Sequence, residues 1–156
     1  MTHGHARADD RHPASWADAR QATLHCLTGC AIGEILGMVI GTSAGLSNGA
    51  TVVLSIALAF FFGYALTIRG VLRAGLPFRK ALRVALASDT VSIVVMEIVD
   101  NAFVLAVPRA LDAGLDSTLF WASLVGSLAI AFAVTVPVNR ALMSRGKGHA
   151  VVHALH

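Results

Sequence analysis

Charge is what this chain has least of. Lys, Arg, Asp and Glu make up 13% of its 156 residues, about half the share of an ordinary soluble domain, and that scarcity argues against a water-soluble globule. Internal repeats and low-complexity tracts are missing too, and no stretch is left over for a separate soluble domain, so one compact helical unit is expected. The first twenty residues are polar, without the apolar core of a signal peptide, and the first apolar stretch has no cleavage site. Nothing is therefore expected to be removed.

What is present is apolar. Hydrophobic residues form 56% of the chain and mean hydropathy is +0.71. Four stretches reach the roughly 20 apolar residues that a bilayer crossing needs: 24–43, 51–68, 84–107 and 119–136. Ser47-Asn48-Gly49, the basic segment from Arg69 to Arg83 with Gly75 and Pro77, and Pro108 separate them. The predicted fold is all-α, an integral membrane four-helix bundle, with a polar leader at 1–20, a four-span domain at 21–145 and a His-containing tail at 146–156. Short connections make sequential helices antiparallel neighbours.

Basic residues set the expected orientation. Arg7, Arg11 and Arg20 precede the first span, Arg69, Arg73, Arg79, Lys80 and Arg83 lie between the second and third, and Arg140, Arg145 and Lys147 follow the fourth. Only Arg109, beside Asp112 and Asp116, falls on the other side. The positive-inside rule then places both termini in the cytoplasm, as expected of a multi-pass protein of a bacterial inner membrane. The net charge of +3 follows from this topology. Nucleic acid is not an expected partner, because the cations are divided among juxtamembrane segments instead of forming one basic face.

Glycines recur at four-residue intervals in the first span, at Gly29, Gly33, Gly37, Gly41 and Gly45, continuing to Gly49. Small residues at this spacing let another helix approach closely in lipid, and with so few helices to surround a path they suggest a homo-oligomer. Beside the ladder runs a row of Cys26, Cys30, Glu34 and Met38, which then points into the protein.

The third span carries Asp89, Glu97 and Asp100. A charge at the centre of a membrane helix costs about 2.5–3.5 kcal/mol on insertion scales, so such residues need partners and default to function. At about 100° per residue, Asp89, Met96 and Asp100 fall on one line, flanked by Ser92 and Glu97. The first and third spans run in the same direction, and at about 1.5 Å per residue Cys26 comes level with Asp89 and Glu34 with Glu97. If they face each other, a polar track runs from His25, Cys26 and Cys30 past Asp89 and Ser92 to Glu34, Met96, Glu97, Asp100 and Asn101. The competing reading makes the acids a hydrogen-bonded structural pair with Asn101 or Ser92.

Cys26 and Cys30 lie one turn apart with His25 beside them, and thiolate plus imidazole favours copper(I) or zinc. His149, His153 and His156 repeat the theme at i, i+4 and i+7, where three imidazoles on one helical face can hold zinc or copper. His3, His5 and His12 are scattered through the polar leader and are expected to be solvated. The competing reading of the cysteines is as small buried hydrophobes. No organic cofactor is indicated.

The segments Thr23 to Glu34 (TLHCLTGCAIGE), Met96 to Asn101 (MEIVDN) and Gly146 to His153 (GKGHAVVH) resemble a family of bacterial four-helix membrane proteins known as a domain of unknown function. The resemblance covers nearly everything after residue 20. It implies the same four-helix architecture and, through relatives labelled copper oxidase, points to copper; no multicopper-oxidase motif is visible here. The expected function is to bind and move, or deliver, a soft transition-metal ion through the Cys/His/carboxylate track, with a metal-handling protein as a partner. Two alternatives stand beside it. One is a membrane thiol oxidoreductase using Cys26 and Cys30, disfavoured because redox pairs are usually Cys-x-x-Cys and because a reducing cytoplasm opposes stable disulfides. The other is a structural membrane subunit without ion chemistry.

Overall fold

The computed structural model describes residues 15–145 except 74. They form four long helices, α1 (Trp16–Ser43), α2 (Asn48–Arg73), α3 (Phe78–Ala106) and α4 (Thr118–Ser144), with a 3-10 turn at Ala110–Asp112 between the last two. The tail histidines His149, His153 and His156, and His3, His5 and His12 of the leader, lie outside the described residues.

Capping explains where the helices begin and end. Ser15 Oγ accepts from the amides of Ala17 and Asp18, while Asp18 Oδ2 accepts from the Ser15 amide at 3.3 Å, a reciprocal capping box. Consequently α1 starts at Trp16 and takes in the last residues of the expected leader. Arg69 and Arg73 belong to α2, and Arg79, Lys80 and Arg83 to α3, so the expected basic loop is mostly helix. Lys and Arg are good helix formers and carry each helix past its apolar length. At the other end of α1, Gly45 adopts φ +65° and the Leu46 amide bonds back to the Gly41 carbonyl at 2.9 Å, a glycine-terminated helix end. Gly45 thus ends the helix, and neither it nor Gly49 packs against a neighbour.

The rest of the ladder is used within the chain. Gly29 lies against the backbone of Gly63, Gly33 against Ala59, Gly37 against Ser55 and Gly41 against Thr51; a Cβ on Gly29 would fall 2.6 Å from the Gly63 Cα. The falling numbers on α2 show an antiparallel seam of small residues on both sides. Because α2 occupies the ladder, the ladder gives no argument for a second copy. Tyr64 with Thr90 and Asn139 with Thr23 tie α2 to α3 and α4 to α1, and α1 also touches α3 across the bundle.

The bundle is polar inside and apolar outside. Thr23, Asp89, Ser92, Ser127 and Thr135 are completely buried, whereas Val53, Phe61, Ile98, Leu105 and Val125 are each more than 60% exposed. An apolar surface on this scale marks contact with lipid or another apolar partner. Three helices, α1, α2 and α4, are long and apolar enough to cross a membrane. The remaining long helix, α3, bears Asp89, Glu97 and Asp100 along its apolar stretch.

Candidate functional site

Polar side chains inside the bundle form two layers. The first lies towards the termini end of the bundle, the end at which α1 begins and α4 finishes. Thr23 Oγ1 donates to the Ala19 carbonyl at 2.7 Å, Asn139 Nδ2 donates to Thr23 Oγ1 at 2.8 Å, and Ser92 Oγ donates to Asn139 Oδ1. On the α2 side, His25 Nε2 meets Thr67 Oγ1 at 3.1 Å and Ser88 Oγ donates to Asp89 Oδ1 at 2.7 Å. Thr67 and His25 both face Asp89, and Cys26 lies beside Asp89 and Ser92. All four helices contribute, and Thr23, Ser92 and Asn139 are hydrogen-bonded from helix to helix.

The second layer lies towards the 3-10 turn and is built differently. A cavity of about 70 Å3 is large enough for several waters, since one needs roughly 10–15 Å3. Glu34 reaches it from α1, Ser55 from α2, Glu97, Asp100 and Asn101 from α3, and Ser123 from α4. Glu34, Glu97 and Asp100 are all more than nine-tenths buried and interact electrostatically with one another. Asn101 Nδ2 donates to the Glu97 carbonyl at 2.8 Å and reaches Glu97 Oε2 at 3.4 Å, and Ser127 serves Asp100. Even so, Glu34 Oε2, Glu97 Oε1 and Asp100 Oδ1 have no hydrogen-bond partner.

Between the layers sits a tight cluster of Cys26, Cys30, Ala59, Ile93, Met96 and Ala131, none more than 1% exposed. Cys30 faces two ways, packing in this cluster while its thiol lies within hydrogen-bonding reach of Glu97. Both cysteines are free thiols.

The family described as Domain of unknown function (DUF4396) matches residues 15–148. The chain belongs to that family. Nothing among curated proteins or solved structures matches it. The DUF4396 description carries no activity, so the chemistry has to follow from the side chains.

In this DUF4396 chain the depth matching of α1 with α3 agrees with the contacts: Cys26 lies beside Asp89, and Glu34 beside Glu97 and Asp100. The sequence track is nevertheless divided, because Met96 belongs to the apolar cluster that separates the two ends. His25 turns to Thr67 while Cys26 and Cys30 enter the core, since neighbouring residues on a helix point about 100° apart. Among the described residues no three His, Cys, Asp or Glu side chains form a ready-made metal-ligand set. Sequence reasoning missed Thr23, Thr67 and Asn139 in the first layer and Ser55, Ser123 and Ser127 in the second. A signal was available: Ser123, Ser127, Ala131, Thr135 and Asn139 recur every four residues on α4, as do Thr51, Ser55, Ala59, Gly63 and Thr67 on α2, and all ten are buried. Ending the fourth span at Val136, just before Pro137, hid Asn139.

Proposed function

We propose that this protein crosses a bacterial inner membrane four times, with both termini in the cytoplasm, and that it binds and moves a cation through the carboxylate cavity. The observation that carries this reading is the meeting of Glu34 from α1 with Glu97 and Asp100 from α3 on one cavity, each with a carboxylate oxygen that has no hydrogen-bond partner. A buried acid without a partner is costly, and removing such a cost without function needs only an amide or an apolar side chain. Positive charge from a proton or a metal ion balances the cluster.

The cargo in this reading is a soft transition-metal ion, copper or zinc. Cys30 favours it, because its thiol stands beside Glu97 and gives a departing ion a sulfur donor next to the oxygen-lined cavity. Cys26 is one turn further on, and Asp89 with His25 leads from there to the cytoplasmic end. The orientation rests on basic residues gathered on one side of the bundle. Arg140, whose guanidinium lies 4.2 Å from the centroid of Trp16, fits the aromatic and cationic belt expected at an interface.

The test is metal flux in proteoliposomes. With the wild-type protein copper(I) or zinc should cross, and the paired change Glu34→Gln, Glu97→Gln should abolish the flux while the protein stays folded. Full flux in the paired variant would remove the cavity from the mechanism. No flux of any cation with wild type would favour a structural membrane subunit.

A further inference from the structure

We infer that the cavity is reached from one end only, past a lid formed by the turn Ala110–Asp112 and latched by Asn48, and that the Cys26, Cys30, Ile93 and Met96 cluster closes it towards the end carrying the termini. This rests on the proposed role of the cavity and adds to it a direction of access.

The lining shows the polarity of the site. Val52 and Ser55 belong to the start of α2, Phe120 and Ser123 to the start of α4, and Asn101 and Val104 to the last turns of α3. Every one of these helix ends lies at the side where the 3-10 turn sits. Ala110 of that turn also lines the cavity and is 4% exposed, so the turn covers the space beneath it.

Its attachments suit a lid. Before it, Arg109 holds a left-handed conformation at φ +66°, which residues with a Cβ seldom adopt. After it, the chain is pinned again where Trp121 Nε1 donates to the Leu115 carbonyl at 2.9 Å. Between those points, among the described residues, one side-chain bond crosses to the first residue of α2, from Asn48 Nδ2 to Asp112 Oδ1 at 2.9 Å. That bond is exposed to competing water and is therefore easily exchanged.

The opposite closure is of another kind. Cys26, Cys30, Ile93 and Met96 of α1 and α3 pack with Ala59 of α2 and Ala131 of α4, and interiors packed this way leave few voids larger than a water. Beneath them the hydrogen-bonded layer of Thr23, Ser92 and Asn139 holds α1, α3 and α4 together. One end is thus closed by a short turn latched through an exposed hydrogen bond and the other by a packed plug, so the structure is poised to load from the lid side.

Thiol labelling tests this without any ion flux. Ser123→Cys places a reporter on the cavity wall, with Val104→Cys as a second reporter should the first fail to fold. A charged, membrane-impermeant methanethiosulfonate is added to one face of oriented vesicles, and labelled cysteines are identified by peptide mass. The reporter should react from the lid face and not from the termini face, while the native Cys26 and Cys30 in the same molecules stay unlabelled from both. Asn48→Ala should raise the reporter's rate several-fold, and Met96→Ala should make Cys30 reactive from the lid face. A folded reporter that reacts from the termini face, or from neither face, overturns the access route, as does wild-type Cys30 reacting as fast as the reporter. One-sided labelling in a protein that moves no cation would keep the route and discard the transport reading; two-sided labelling with intact flux would do the reverse.

Discussion

The two ends of this bundle hold similar numbers of polar side chains and treat them in opposite ways. At the end carrying the termini, Thr23, Ser92 and Asn139 hand hydrogen bonds from helix to helix. At the lid end, Glu34, Glu97 and Asp100 surround empty space with oxygens left over. In a low-dielectric interior a satisfied network rigidifies, whereas unmet groups cost free energy and are kept where something else uses them. Burial alone therefore does not mark a site; burial with unmet valence beside a cavity does.

The largest effect should come from a change that breaks both layers together. Gly33→Leu would drive a side chain into the backbone of Ala59 and part α1 from α2 along the whole seam. Overpacking of a tight interface costs about 1–3 kcal/mol and sometimes more, and here no flexible side chain can give way. The expected outcome is loss of folded protein in detergent, read by size-exclusion and thermal unfolding. A monodisperse variant of wild-type stability would show that the seam is looser than it looks.

Next comes Asn139→Leu, aimed at the hydrogen-bonded layer. It removes two interhelical bonds and takes from the Ser92 hydroxyl its Asn139 acceptor, while Thr23 keeps its bond to the Ala19 carbonyl, for a loss of about 2 kcal/mol, softened because interhelical bonds in membranes average about 0.6 kcal/mol. Thermal unfolding should fall measurably. Lid-side labelling of a cavity cysteine should be unchanged, since Asn139 lies beyond the plug. If stability holds and labelling becomes two-sided, this layer is part of the path and the contrast between the ends fails.

Glu34→Gln with Glu97→Gln should do the opposite. Amides keep the shape and dispense with buried charge, so stability should be equal to wild type or up to about 1 kcal/mol higher, a gain of the kind seen when uncompensated buried charge is removed. Cation flux should vanish. A strongly destabilised double variant would make the acids structural and bring the two layers into one class.

The smallest change in stability is expected for Cys26→Ser and Cys30→Ser, within about 1–2 kcal/mol, the cost of placing a hydroxyl in an apolar contact. The informative measurement is copper(I) or zinc stoichiometry. Loss of binding at either position would join the thiols to the cavity as soft donors, and an unchanged stoichiometry in the double variant would leave them as packing in the plug.

Much of this could be read from the residues in order. Scarce charge and four long apolar stretches determined an all-helical bundle with short connections, because backbone groups in apolar surroundings have to be satisfied within each helix. Asp89, Glu97 and Asp100 stood out for the cost of burying them, and the repeat from Gly29 to Gly41 identified a close helix contact. Spacing could not say which helix met those glycines; that depended on the matching small residues Thr51, Ser55, Ala59 and Gly63 of α2. Nor could it show that Glu34, Glu97 and Asp100 line one cavity while Asp89, with Ser88 and Thr67 beside it, lies outside that cavity. The same applies to Met96, which depth aligned with the acids and packing assigned to the plug. Periodicity determines the face on which a residue lies, and the neighbouring helices decide what that face meets, because hydrogen bonds and cavities between helices belong to pairs of surfaces and not to any one segment.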